Sequence, residues 1–83
     1  MKLKRVISIF ERNSEKLIEE IDIGGIPLEI LKEIFNPPDD DYLMYDPYSI
    51  NAAYFQKLSS YFPIAHVFNE KNIYQLDCFA NNE

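Results

Sequence analysis

The residues best suited to chemistry crowd into one stretch, Asn36 to Ile50, which reads Asn-Pro-Pro-Asp-Asp-Asp-Tyr-Leu-Met-Tyr-Asp-Pro-Tyr-Ser-Ile. Asp39, Asp40, Asp41 and Asp46 are carboxylates at close spacing, and Tyr42, Tyr45 and Tyr48 interleave with them. Carboxylates in such a cluster suit a hard cation, acid–base work, or a negative recognition surface. The cation reading lacks the glycine at the sharp turn and the closing bidentate glutamate of an EF-hand loop. The acid–base reading needs two carboxyl groups in different environments, and nothing in the run distinguishes these from solvated surface charge. No metal and no cofactor is therefore expected.

Elsewhere, His66 and Cys78 are the only residues of their kinds. His66 lies among Ala65, Val67 and Phe68, and Cys78 follows Tyr74 and Leu76 in an alternating run. A hairpin of 65–68 with 73–80 would make them neighbours, but no third residue to orient such a pair is in view. The default is a structural or surface histidine and a buried, inert thiol. Gly24-Gly25 is too short to cradle a phosphate and ends a strand pattern instead. With no nucleophile, base or metal set assembled, the chain is expected not to be an enzyme; a small enzyme or ligand-binding domain using the Cys78/His66 region is the alternative.

Recognition is what the acidic stretch leaves open. No Lys or Arg lies between Lys32 and Lys57, and Glu19, Glu20 and Asp22 add negative charge from an earlier segment. The net charge of −6 opposes nucleic acid and anionic lipid and favours a basic protein partner. Tyrosine rings on a proline-stiffened loop are good interface anchors, and acidic residues around them speed encounter. Packing of Tyr45 and Tyr48 onto the fold is the competing role.

The elements that must hold this loop follow from periodicity. Lys4 to Glu11 reads as a strand with Ile7 and Ile9 on one side and Val6 and Phe10 on the other. Arg12 to Glu15 supplies a turn, and Lys16 to Ile23 alternates Leu17, Ile21 and Ile23 against Glu20 and Asp22, completing a hairpin. Pro27 opens a helix with an apolar stripe at Leu28, Leu31, Ile34 and Phe35, closed by Asn36-Pro37. Ser49 or Asn51 caps a second helix with the stripe Tyr54, Phe55, Leu58, Tyr61 and Phe62, stopped by Pro63. Ala65 to Phe68 and Ile73 to Ala80 give a second hairpin or one long closing strand. The fold class is thus α+β, one domain over residues 1–83, with an antiparallel sheet carrying two helices on one face in the order β-β-α-α-β-β. At 83 residues and 47% hydrophobic content the chain has one core and no room for a second. One cysteine fits a reducing compartment. The basic start gives way to Glu11 without a cleavage site, and no run approaches the ~18 apolar residues of a span, so a cytoplasmic protein is expected.

Several segments together resemble a family of small bacterial domains. They are Val-Ile-Ser-Ile-Phe, Leu-Ile-Glu-Glu-Ile-Asp-Ile, Leu-Glu-Ile-Leu-Lys-Glu-Ile-Phe-Asn, Asp39-Asp40-Asp41, Met44-Tyr45-Asp46, Tyr48, and the closing Tyr-Gln-Leu-Asp-Cys-Phe-Ala. Members of that family are similar to immunity proteins of contact-dependent growth inhibition and related polymorphic toxin systems. The family pattern carries Tyr-Asp-Cys-Tyr, where this chain has Pro47 in place of the cysteine. The resemblance implies a non-enzymatic inhibitor that binds the C-terminal domain of a cognate toxin one to one. With that partner in mind, the candidate contacts are Asp39, Asp40, Asp41, Tyr42, Tyr45, Asp46 and Tyr48, with Glu19 and Glu20. A generic interaction domain, or a homodimer joined through an exposed strand edge, is a further option.

Overall fold

The computed structural model describes residues 2–61, 64 and 67–81. Its elements are β1 (Lys2–Glu11), β2 (Leu17–Asp22), α1 (Leu28–Phe35), β3 (Tyr48–Ile50), α2 (Ala52–Tyr61) and β4 (Asn72–Asn81), with a short 3-10 turn at Asp39–Asp41. All strand pairs are antiparallel, and the sheet runs β2-β1-β4-β3. The first and last strands are thus central neighbours, paired from Lys2 opposite Asn81 to Glu11 opposite Asn72.

The α+β class, the single antiparallel sheet and the two helices stand as the sequence implies. One strand differs in origin. β3 comes from the end of the proline-rich loop, ahead of α2. Of the short strand expected at Ala65 to Phe68, residues 65 and 66 lie outside the described residues, and Val67 and Phe68 are not in a strand. A three-residue strand is invisible to periodicity, because alternation over so short a run has no statistical weight.

Register places the core on one face. Ile7 stands opposite both Ile21 and Leu76, Ile9 opposite Tyr74, and Tyr74 opposite Ile50. These residues join Leu31, Ile34 and Phe35 of α1 and Phe55 and Leu58 of α2 in one cluster. Both helices therefore cover the same face. Pro27 sits at the N-cap of α1. Asn51 caps α2, its Oδ1 accepting the Tyr54 N–H at 2.8 Å; this is the standard side-chain substitute for a missing intrahelical partner.

Two expected core residues are displaced. Tyr61 is exposed, because the buried stripe of α2 ends at Leu58; Phe62 lies outside the described residues. Leu17 is 51% exposed, because the β1–β2 register shifts between Ile9 and Phe10 and leaves Ile18 as an extra residue. Such a bulge breaks the two-residue alternation beyond it.

The far face of the sheet carries Val6, Ser8, Gln75 and Asp77. The buried Asp77 carboxylate accepts the Ser8 hydroxyl at 2.6 Å and the Gln75 amide at 2.7 Å, so its lone pairs are used within the sheet. On the helix side, Leu31 is fully buried. Leu31→Ala is expected to cost about 3 kcal/mol, a large share of the stability of so small a domain. A thermal melt should show Tm lowered by roughly 10–20 °C.

Candidate interaction surface

The loop between α1 and β3 is built from the helix end upward. Asn36 adopts the left-handed conformation (φ 49°, ψ 62°) and its N–H closes on the Lys32 carbonyl at 2.9 Å. Asparagine tolerates this conformation better than most residues. Pro37 and Pro38 then forbid further helix, and the 3-10 turn follows, with the Asp41 N–H on the Pro38 carbonyl at 3.0 Å. Met44 takes a positive φ of 56° and turns its side chain into the core, where it is almost wholly buried. For a long side chain that conformation is uncommon, and burial in the core offsets its cost. Arg5, reaching across from β1, donates to the Leu43 carbonyl at 2.8 Å.

Asp41 is the latch. It is only 8% exposed. Its Oδ1 accepts the Tyr45 N–H at 2.9 Å and its Oδ2 the Asp46 N–H at 3.2 Å, while the Tyr48 hydroxyl donates to Oδ2. The Tyr48 hydrogen bond, joined by the two backbone N–H groups and opposed by desolvation, holds the Asp41 carboxyl below the usual carboxylate range. Burial pushes the Tyr48 phenol up, reinforced by the hydrogen bond to Asp41 and by the charges of Asp41, Asp46 and Asp40. The Tyr48 ring packs at 5.9 Å from Phe35, which also meets Tyr54 at 4.8 Å. Tyr48 is thus inward-facing, the last residue of the loop and the first of β3.

The candidate contacts divide accordingly. Asp41 and Tyr48 belong to the scaffold. Asp39, Asp40, Tyr42, Tyr45 and Asp46 face outward, with Tyr42 59% and Tyr45 50% exposed. Lys32 at the end of α1 sets its Nζ 5.7 Å from the Tyr42 ring centroid, a cation–π contact that limits where the ring sits. Glu19 and Glu20 are not brought into this patch. They lie on β2, the opposite edge of the sheet from β3, three strand spacings or roughly 14 Å away; Glu20 stands opposite Ser8, on the face away from the helices.

Sequence reasoning missed Arg5, Lys32 and Met44 as supports of the loop. Lys32 alone carried a signal, as the last cation before the acidic run. In the Asp-Asp-Asp run nothing marks the third as the buried one.

No group of three or more His, Cys, Asp or Glu side chains among the described residues converges as a metal site. Cys78 is half-buried opposite Arg5, and His66 lies outside the described residues, so the pairing considered for them has no geometry to assess. No helix among the described residues is long and apolar enough to cross a membrane.

Fold and loop together define a small α+β domain whose helix-covered sheet displays a latched, acidic, tyrosine-bearing loop. Residues 4–77 match the family described as Domain of unknown function (DUF7683), and the chain belongs to that family. No curated protein and no solved structure matches it.

Proposed function

We propose that this domain is an immunity protein, which binds and neutralises the C-terminal domain of a cognate toxin by stoichiometric contact in the cytoplasm, without catalysis of its own. The observation that carries the reading is the division of labour in the loop. Asp41 and Tyr48 fix the backbone from inside, so that Tyr42 and Tyr45 are displayed with Asp39, Asp40 and Asp46 around them. Preorganised aromatic side chains lose little entropy on binding, and flanking charge accelerates encounter with a basic surface. A toxin that acts on nucleic acid has such a surface, because it must hold phosphates. An acidic loop suits occupation of that cleft or of its rim.

The test is capture of the product of the gene immediately upstream, followed by protection of cells expressing that toxin. The expected result is a one-to-one complex whose association rate falls several-fold between low and physiological salt, since screening shortens the reach of the loop's field. Recovery of no complex, or failure to protect, contradicts the reading.

A further inference from the structure

The second acidic feature, β2, is an edge strand of the sheet. The Ile23 N–H bonds the Arg5 carbonyl at 3.0 Å, so Arg5 and Ile23 form a hydrogen-bonded antiparallel pair. Alternation then makes Ile7 with Ile21 and Ile9 with Glu19 bonded pairs, and leaves Val6 with Asp22 and Ser8 with Glu20 unbonded. The N–H and C=O groups of Glu20 and Asp22 therefore point away from β1, along an edge that no strand among the described residues covers. The bulge at Ile18 ends the regular stretch, so the usable template is Glu19–Asp22. It is flanked by Leu17 and Ile18, 51% and 54% exposed.

A second copy is a poor occupant. In an antiparallel pair, outward-pointing residues must meet outward-pointing residues. A twofold axis at Glu20 sets Glu20 against its own copy, and an axis at Ile21 sets Glu20 against Asp22 twice. Axes at Glu19 or Asp22 likewise oppose identical acids. Like charges directly across a pair are destabilising. The same acids favour a strand of opposite charge.

We propose that the β2 edge is a strand-addition site for a partner segment that is extended and basic, with Lys or Arg at alternate positions opposite Glu20 and Asp22 and apolar residues between them. Main-chain hydrogen bonds to Glu20 and Asp22 supply the docking, and the alternating side chains supply selectivity. This inference concerns β2 alone and does not rest on the toxin reading of the loop.

The probe is a synthetic peptide of alternating Lys and Val, set against a peptide of the same composition with all lysines first. The readout is amide NMR and hydrogen exchange on the intact domain. At saturating alternating peptide, exchange of the Glu20 and Asp22 amides should slow at least tenfold, with shift changes centred on β2; the block peptide should leave them unchanged. Glu20→Pro, which removes an outward-facing N–H and is tolerated at such an edge position, should abolish the protection. The double variant Glu20→Lys, Asp22→Lys should instead select a peptide of alternating Glu and Val. Equal effects of the two lysine peptides, shifts confined to Asp39–Asp46, or unaltered selectivity in the double variant would overturn the proposal. So would concentration-dependent protection of these amides without peptide, which would make a second copy the occupant.

Discussion

Replacing Asp39, Asp40 and Asp46 together by asparagine should weaken binding of the cognate toxin domain by well over tenfold while leaving Tm within about 1–2 °C of wild type. All three carboxylates face solvent, and none accepts a hydrogen bond that holds the loop together. Each exposed charge contributes about 0.5–1 kcal/mol, so the three together are worth about 2 kcal/mol, or roughly thirtyfold. The loss should lie mainly in the association rate and shrink at high salt, as befits charges that steer. Tyr42→Ala and Tyr45→Ala should act differently. A buried aromatic anchor is worth about 2 kcal/mol or more, and its loss appears in the dissociation rate with little salt dependence. Surface plasmon resonance at two ionic strengths separates the two behaviours.

Asp41→Asn should lower Tm by several degrees and weaken binding as well, although Asp41 is buried in the free domain. One carboxylate oxygen receives both the Asp46 N–H and the Tyr48 hydroxyl, and the other receives the Tyr45 N–H. An asparagine carbonyl replaces only one of these oxygens. Its amide nitrogen is a donor and must face donors on the other side, leaving a buried polar group unsatisfied. The pH dependence has a definite sign. The folded Asp41 carboxyl lies below its ordinary value, so its contribution is fully present above that ordinary value, near pH 4, and disappears as pH falls through the depressed one. Tyr48 works in the opposite direction. Its raised phenol contributes stability that is complete below pH ~10 and is lost as pH climbs beyond it. Thermal melts across pH should show a wild-type decline on the acid side that Asp41→Asn flattens. Tyr48→Phe, which removes the strongest influence on Asp41, should shrink that decline, because the folded carboxyl moves back toward its ordinary value. An unchanged acid limb in both variants would contradict the latch.

Much of this frame was legible in residue order. Isoleucines at alternate positions in Val6 to Phe10, the Leu28 to Phe35 stripe, and Asn36-Pro37 and Asn51 as boundaries follow from local rules of period and capping. What escaped depended on distance. β3 exists because β4 offers an edge to Tyr48–Ile50, and no local signal anticipates a partner so far along the chain. The bulge that exposes Leu17 is likewise a property of two strands meeting, not of either one. The loop itself was legible as a recognition candidate from composition. Which of its residues turn inward was not, because Asp41 differs from Asp39 and Asp40 only in where a 3-10 turn and a buried Met44 place it.

The most direct test of the loop as the toxin-facing surface is hydroxyl-radical footprinting of the one-to-one complex at Tyr42 and Tyr45. Both rings are about half exposed in the free domain. Binding should lower their modification several-fold, while that of Tyr61, exposed on α2, should change little. Unchanged modification of Tyr42 and Tyr45 in a saturated complex would place the interface elsewhere and leave the loop as a brace between α1 and β3.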